Sequence, residues 1–526
     1  SEGLRQRLRL RRMKLQTSRL ATALAGVAAL CAAGQARAQA GLRIEPSIGV
    51  IATVTDNVNP GSYSGERDKA LVLELRPQIS VSGQSSRIRA NGTFGLQMLT
   101  FAKSDEPSRT YPEGRLEANV TLLERWIFVD TEVSARHAGS ELFSLQSGSQ
   151  STPTADDRIT YSYRLSPYVQ RELSPGLALN ARSDKYWTRL KEDDSLGLAA
   201  SNSDSRRNSA SLEKRPEPFG GALEAFDERS TTDSLTDSLL ASRGGRVVAS
   251  YAVNGELQFG LSAGRERSTI DEDVQTDSTY GFRLRWTPSE RARFEAQAER
   301  RYFGWGGSGL ATLRSPFFAF TLEALRAPVM QSSPLFQPGI GQNLGAALDA
   351  VLTTRYPDVT QRETLVRNLL TQRGLDPNAV GPVDVFPDYA QLLNRVTASI
   401  VFLGRLTTVE LRAFGERSTV LLREDQAIIS PIASLQDNRQ RGLSLTTTRR
   451  LTPQLAATLD LSAREIRGLG DATGQLSREG TATLGARMLV NPRSEVSAGL
   501  RYRLFRSNVL VDSEATSVFV GALHRF

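Results

Sequence analysis

The chain has 526 residues, a formal net charge of +8 and a mean hydropathy of −0.31. Residues 1–38 hold eight basic residues against one acid and so supply +7 of that charge, which excludes a basic nucleic-acid footprint on the remainder. With one cysteine and two histidines, a metal site built on thiolates or clustered imidazoles is excluded too, and no cofactor is predicted.

The first 38 residues predict a secretory signal peptide with a basic amino-terminal extension. An apolar run over residues 20–33 follows Met13 and precedes the small-residue site Ala36-Arg37-Ala38, with cleavage after Ala40 as the alternative. The run is shorter than the ~20 residues that a spanning helix needs. Cys31 lies inside it, after the large Leu30, so the mature chain is expected to carry no lipid anchor and no thiol.

Alternation of apolar and polar residues begins at Ile44 and predicts a first strand to Thr55 and a second over residues 71–82. The second is about twice the length of a typical soluble strand, whereas a tilted membrane-crossing strand needs about 9 to 11 residues. This length favours a transmembrane barrel.

The same unit recurs along the chain with connections of two kinds. Short turns such as Ser174-Pro-Gly176 and Asn254-Gly255 alternate with longer polar stretches at 103–112, 138–156 and 191–207. Outer-membrane barrels show this asymmetry, with short turns periplasmic and long loops outside. The predicted fold is therefore all-β, a large antiparallel transmembrane β-barrel over residues 39–526, with about 22 strands (range 18 to 22).

Residues 327–394 break the alternation with helical spacing. One apolar stripe contains Leu344, Leu348 and Val351, and a second contains Val366 and Leu369. Thr360 and Glu363 form a capping box, and Gly374 suits a helix C-cap. The sequence predicts a helical insertion on the outer side or in the mouth of the barrel, serving as a lid or as a docking site for a partner.

The last residues, Thr516 to Phe526, alternate again and are expected to close the barrel onto the first strand. They resemble the terminal assembly signal of outer-membrane barrels in Gly521 and Phe526, although His524 stands where an apolar residue is usual. A terminal strand of a soluble sandwich is the alternative.

Several motifs resemble the outer-membrane β-barrel proteins associated with PEP-CTERM and exopolysaccharide systems. They are Ile44-Glu-Pro46 with Thr55-Asp-Asn-Val58, Trp286-Thr-Pro-Ser-Glu-Arg291 leading to Arg301-Tyr-Phe-Gly304, and Tyr356-Pro-Asp358 with Arg362. The resemblance covers nearly the whole mature chain. It implies a place in the outer membrane beside polysaccharide synthesis and export, and it carries over no catalytic residue.

Polar residues alternate with the apolar face and are expected to line the lumen. Glutamates and one aspartate share that face with arginines: Glu74, Glu117, Glu132, Glu295, Glu299, Glu410 and Asp460. The arginines predicted as pore residues are Arg76, Arg89, Arg182, Arg283, Arg285, Arg293, Arg412, Arg464, Arg487, Arg501 and Arg503. A salt-bridge lattice that stiffens the lumen and a polar track for hydroxyl-rich or acidic sugars are both compatible with this set.

Motifs of enzymes do not fit their structural context. The stretch Gly260-Leu-Ser-Ala-Gly264 continues an alternating strand instead of forming a nucleophile elbow, and Gly304-Trp-Gly-Gly-Ser-Gly309 suits a flexible hairpin better than a dinucleotide loop. The acidic stretches 192–194 and 271–273 suit solvated loop tips better than calcium sites. No enzyme activity is predicted.

The leading functional interpretation is an outer-membrane channel or scaffold for exopolysaccharide export. A general diffusion porin, a structural surface barrel and a barrel-embedded lipid hydrolase are the alternatives. The expected partners are outer-membrane lipid, the barrel-assembly machinery, polysaccharide and periplasmic export proteins, and no nucleic acid. A barrel of this width often holds an amino-terminal plug, but strands that start at Ile44 leave the helical insertion as the candidate lid.

Overall fold

A computed structural model describes residues 42–58, 67–104, 107–139, 143, 157–190, 201–233, 238–330, 389–421 and 437–526. They form a closed antiparallel sheet of 22 strands in which each strand pairs with its neighbours in sequence. The first eleven are β1 Leu42–Thr55, β2 Ala70–Gln84, β3 Ile88–Ala102, β4 Arg109–Leu123, β5 Ile127–Gly139, β6 Asp157–Ser174, β7 Leu177–Leu190, β8 Ser201–Lys214, β9 Phe219–Asp233, β10 Ser238–Ala252 and β11 Leu257–Ile270. The others are β12 Asp273–Ser289, β13 Ala292–Arg301, β14 Gly304–Arg314, β15 Phe318–Val329, β16 Gln391–Leu403, β17 Thr407–Val420, β18 Asn438–Arg450, β19 Leu455–Gly468, β20 Leu476–Asn491, β21 Ser494–Ser507 and β22 Ser513–Arg525.

The barrel closes where β22 pairs with β1. Residues 47–55 lie antiparallel to residues 517–525. Beyond this ladder, the Phe526 N–H donates to the Pro46 carbonyl at 3.0 Å, and the Asp56 N–H donates to the Thr516 carbonyl at 3.1 Å. The predicted fold class and its strand number are confirmed.

The two ends of the barrel differ in their connections. At the short-turn end, where β1 begins and β22 ends, strands are joined by turns such as residues 175–176 and 492–493. At the long-loop end, the connections include residues 56–69, 191–200 and 421–437. By the asymmetry of bacterial outer-membrane barrels, the short-turn end faces the periplasm and the long-loop end faces outward from the cell.

Side chains alternate between the two faces of the wall, apart from register shifts near the short turns. On β11 the outward residues Phe259 and Leu261 are exposed, whereas the inward residues Ser262 and Glu266 are buried. Aromatic pairs also lie on the outer surface: Tyr280 meets Trp305 edge to face at 5.9 Å between ring centroids, and Trp286 stacks on Phe294 at 5.0 Å. An apolar outer surface on a closed barrel is stable in lipid, so the protein is integral to the bacterial outer membrane.

No helix within the described residues is long and apolar enough to cross a membrane. The helical element described is the short 3-10 turn Gly470–Ala472 between β19 and β20.

Strands extend further towards the long-loop end than the sequence predicted. The predicted polar stretches 103–112 and 191–207 are wrong in part, because Arg109–Pro112 belong to β4 and Ser201–Arg207 to β8. The strands are 10 to 18 residues long, and most exceed the about 9 to 11 residues that cross the apolar band. Their outer parts stand in water, where neither face needs apolar residues and the alternating signal disappears.

Two further predictions differ from the structure: the glycine-rich hairpin at residues 304–309 and the ends of the helical insertion at residues 327–394. Residues 304–309 form the first half of β14 and are not a hairpin loop; a Cβ on Gly307 would lie 2.2 Å from the Gln297 carbonyl, so glycine permits close strand approach there. The ends of the predicted insertion 327–394 are strand, in β15 and β16. Its interior, residues 331–388, lies outside the described residues, as do the signal segment 1–38 and the acidic stretch 192–194.

Aspartates tie neighbouring strand ends together at the long-loop end. The Leu239 N–H donates to Asp271 Oδ1 at 2.9 Å, and the Val420 N–H donates to Asp437 Oδ1 at 2.7 Å. Burial raises the pKa of both carboxyls, while these backbone hydrogen bonds act in the opposite direction. Asp271 is therefore a structural acceptor in a tight turn, as its positive φ of 52° also indicates.

Candidate pore lining

Long-range ion pairs identify the concave face of the sheet. Arg283 on β12 donates two hydrogen bonds to Glu224 on β9, at 2.6 and 2.7 Å. These strands are three places apart, roughly 14 Å along the sheet at the usual strand spacing. Side chains converge over such a distance only on the inner side of a curved wall. The strand register then extends this assignment to every strand.

All eleven arginines predicted for the pore lie on this inward face. So do the seven acids predicted beside them. The inward basic side chains of the described strands are arginines throughout, and carboxylates accompany them in nearly equal number.

One network joins β9, β10, β12 and β13. Glu224 accepts from Arg283 and also from Arg246 Nε at 2.6 Å. Arg246 reaches further to Glu299, so two carboxylates and two guanidinium groups form one continuous chain. Phe226 lies against it, with the Arg246 guanidinium 5.3 Å from its ring centroid.

A second network occupies β4 to β7. Arg182 donates to Asp130 and to Asp184, each at 2.8 Å, and its guanidinium lies 4.9 Å from the Tyr168 ring centroid. Arg164 stands 3.8 Å from Glu132, which also faces Arg115 of β4 at 3.0 Å. Charges on this wall are thus shared across strands and not held in isolated pairs.

A third network centres on Glu479 of β20. Arg503 donates to its Oε1 at 2.8 and 3.0 Å, and Arg464 pairs with its other oxygen. Arg501 lies two residues before Arg503 on the same face of β21 and has no ion pair among the described residues. Its guanidinium lies 5.4 Å from the Phe519 ring centroid. The remaining predicted arginines pair locally or lie at a strand start: Arg76 with Glu74, Arg412 with Glu410 at 3.0 Å, Arg487 with Glu495 at 3.3 Å, and Arg89 at the start of β3.

Exposure to the lumen varies along the face. Arg412 and Arg503 are 4% and 7% exposed, whereas Arg285 and Arg293, near the short-turn end, are 58% and 54% exposed. Both of these exposed arginines donate to Glu295, each at 2.8 Å. The charged groups that a solute entering from this end would meet therefore include those on β12 and β13, together with Arg43 at the start of β1, which is 75% exposed.

Sequence reasoning missed several members of these networks. Arg246 lies beside Gly244 and Gly245, which interrupt the alternation of β10. Arg301 follows the predicted Glu299 by two positions and could have been found from it, but it was assigned to a motif instead. It donates to Glu266 Oε2 at 2.8 Å, and Glu266 is buried. Arg395 and Glu416, paired at 2.6 Å, were missed because the prediction placed Arg395 at the edge of the insertion.

The described residues do not assemble a catalytic or metal centre. They contain no group of three or more His, Cys, Asp or Glu side chains placed to hold a metal ion. Ser262 of the elbow-like stretch lies within β11. His524 Nδ1 is 2.9 Å from Ser494 Oγ, and the ring of His524 meets the Phe526 ring edge to face. Its cross-strand partner on β1 is Ile48, so the described residues place no carboxylate beside it as the third group of a triad.

No protein-family model matches the chain, and no curated protein sequence does. Solved structures do resemble it. The siderophore receptor PirA from Pseudomonas aeruginosa is 11% identical, with 92% of this chain and 80% of that chain covered and a TM-score of 0.43. The FrpB iron transporter from Neisseria meningitidis is 10% identical, with 92% and 83% covered and a TM-score of 0.48. OpdK from Pseudomonas aeruginosa, solved with vanillate, is 9% identical, with 92% and 99% covered and a TM-score of 0.34.

Proposed function

We propose that the protein is an outer-membrane channel through which exopolysaccharide leaves the cell. The observation that carries this proposal is the inward face of interlinked arginines and carboxylates, exemplified by Glu224, Arg246 and Arg283. The resemblance of several motifs to those of exopolysaccharide-associated barrels is the second support for the proposal.

A charge-balanced face suits a hydroxyl-rich polymer. Each guanidinium offers several planar N–H donors, and each carboxylate offers acceptor oxygens, so a sugar chain can exchange hydrogen bonds with both. A face of one sign would instead select ions of the opposite sign. Because donors and acceptors alternate along the wall, a chain can move by replacing one weak contact with the next.

The exposed group on β12 and β13 gives this track an entrance. Arg285, Arg293 and Glu295 are accessible near the short-turn end, which is the periplasmic side from which an exported polymer would enter. Their mutual hydrogen bonds leave further N–H groups of both arginines free for a solute.

Planar-bilayer recordings with the full mature protein test the proposal. Dextran, a neutral polysaccharide, added at the short-turn side should interrupt the ionic current in events that lengthen with polymer size. Arg285→Gln combined with Arg293→Gln should shorten these events and shift the reversal potential towards cation selectivity, because Glu295 is left unbalanced.

The control is Lys214→Gln combined with Arg449→Gln, which removes two positive charges from the outward face near the same end. It should behave as the unaltered protein does. Steady current without polymer-dependent interruption would identify a general diffusion porin. Absence of current in correctly folded protein would identify a structural barrel, and either result would overturn the export proposal.

A further inference from the structure

The outer wall carries a concentration of positive charge that the pore does not use. Its members lie near the long-loop ends of β7 to β11 and point outward: Lys185, Arg206, Arg229, Arg243 and Arg267. We call this set the outer basic patch. Acids in the same area are Asp204 and Asp227.

Like charges in the outer basic patch stand directly opposite each other across strands. Arg206 pairs in register with Arg229, and Arg243 with Arg267. Directly opposed side chains have Cβ atoms about 5 Å apart, and like charges at that distance destabilise a sheet. Asp227 accepts from Arg206 at 3.2 Å, but within the described residues Arg229, Arg243 and Arg267 have no carboxylate within ion-pair distance. Within the described residues, Asp227 also stands opposite Arg243 in register, so one carboxylate is shared among these arginines and offsets their repulsion only in part.

These side chains surround a cleft. Its volume is about 590 Å³, and all five members of the outer basic patch line it together with Trp187. Towards the short-turn end of the same strands, the outward residues become apolar and fully presented to lipid, as at Leu223, Val247 and Leu261. The cleft thus lies at the upper edge of the apolar band, where headgroups meet acyl chains.

The rest of the wall shows that this charge is not a general property of the long-loop end. Outward positions at that end of β1 to β4 are uncharged: Val54, Leu71, Thr100, Ala102, Thr110 and Pro112. On β18 to β20, outward arginines gather around one acid, because Glu465 accepts from Arg467 at 2.6 Å and from Arg478 at 2.9 Å, and lies 2.9 Å from Arg441. Among the described residues, β17 and β18 also carry an outward pair of register-opposed arginines, Arg417 and Arg439, but the cleft at the edge of the apolar band is lined by the outer basic patch.

We propose that the outer basic patch binds the phosphate groups of a phosphorylated glycolipid of the outer leaflet. A phosphate between Arg243 and Arg267 converts their repulsion into two charge-assisted attractions, and the acyl chains continue down the apolar wall beside Val247 and Leu261. Soluble anions could satisfy the charges but would leave that wall to other lipids. Position and charge together therefore select a lipid.

Binding of diphosphoryl lipid A to the detergent-solubilised full-length protein, counted by native mass spectrometry, tests this proposal. Arg243→Gln combined with Arg267→Gln should weaken binding by roughly 30-fold, because each basic residue near a membrane surface contributes about 1 kcal/mol of attraction to anionic lipid. Lys214→Gln combined with Arg449→Gln removes the same charge from the outward face at the opposite end and should leave binding unchanged.

The denaturation temperature should respond to the double substitution in opposite directions without and with lipid A. In neutral detergent, the Arg243/Arg267 double variant should denature at a higher temperature than the unaltered protein, because the facing charges are gone. On addition of lipid A, the denaturation temperature of the unaltered protein should rise by more than that of the double variant. The unaltered protein alone also provides a test, since dephosphorylated lipid A should bind far more weakly than the diphosphoryl form.

Equal binding of phosphorylated and dephosphorylated lipid A would overturn the proposal. So would equal affinity of the patch variant and the control. Inorganic phosphate that binds as tightly as lipid A would show that the site takes a free anion and not a lipid.

Discussion

Replacing Leu284 with arginine tests which face of β12 meets the lipid. Leu284 points outward between Phe282 and Trp286, and its cross-strand partners are Phe259 and Ala296. A charge at such a position must leave water for hydrocarbon, and near the bilayer midplane that costs roughly 2 to 4 kcal/mol. The aromatic neighbours offer the guanidinium no acceptor, so we expect a loss of that size.

The neighbouring substitution Arg283→Leu is the matched control. It removes two hydrogen bonds to Glu224, but Glu224 keeps its bond from Arg246 at 2.6 Å, so no carboxylate is left without a partner. Because the Arg283 side chain is about one-third exposed to the lumen, we expect a loss of roughly 1 kcal/mol.

Urea titration of both variants in phospholipid vesicles, followed by the unheated gel shift of the folded barrel, gives the two free energies of unfolding. Leu284→Arg should be the more destabilised by at least 1 kcal/mol. If Arg283→Leu were the more damaging, the inward and outward assignments of β12 would be exchanged. Every assignment that follows from its register would then be wrong as well.

Four further outcomes are expected. Phe526→Ala should lower the amount of assembled barrel in outer membranes, whereas Phe317→Ala in an exposed turn should not, because only Phe526 supplies the terminal aromatic side chain of the predicted assembly signal. Gly264→Ala should destabilise by about 1 to 3 kcal/mol, since its methyl would lie 2.3 Å from the Gly245 carbonyl, while Gly415→Ala, with open space around it, should be neutral in the same urea titration. Burial raises the pKa of the Asp437 carboxyl above its ordinary 3.8. The stabilisation that comes from protonating this carboxyl is therefore fully present below pH 3.8 and is lost as the pH rises through the raised pKa. Asp437→Asn keeps the Oδ1 acceptor without the buried charge, so it should raise the denaturation temperature at pH 7 and not at pH 3. Replacing residues 331–388 with a short Gly/Ser linker should preserve the gel shift, because Val329 and Gln391 are directly paired, and an increased conductance would support the lid predicted from the sequence, whereas an unchanged one would contradict it.

Alternation predicted the fold well where both faces of a strand have distinct surroundings. Along β12, lipid on one side and charged lumen on the other impose the pattern Tyr280, Phe282, Leu284 outward and Arg283, Arg285 inward, and the register bears this out. The same physical contrast placed all eleven predicted arginines on one face.

Prediction failed where that contrast disappears. In β8, residues 201–207 have water on the outside and a polar lumen inside, so nothing in the pattern Ser-Asn-Ser-Asp-Ser-Arg-Arg separates strand from loop. The sequence also could not predict which arginine pairs with which carboxylate in each network. Glu224 and Arg283 are 59 positions apart, and only the curvature of the closed sheet brings them together.

The seam between β1 and β22 has a consequence for how the chain acquires its shape. Ser517 and Thr55 meet there across 462 positions of sequence, whereas every other strand pair is made by neighbours along the chain. Bringing such distant ends together costs roughly 3 kcal/mol more in chain entropy than closing a ten-residue hairpin. Until that step, β1 and β22 each present an unpaired edge to any other extended chain. Closure of this seam is therefore the strand pairing with the largest entropic cost, and a catalyst that holds the edge of β1 until β22 arrives would lower that cost and protect both edges.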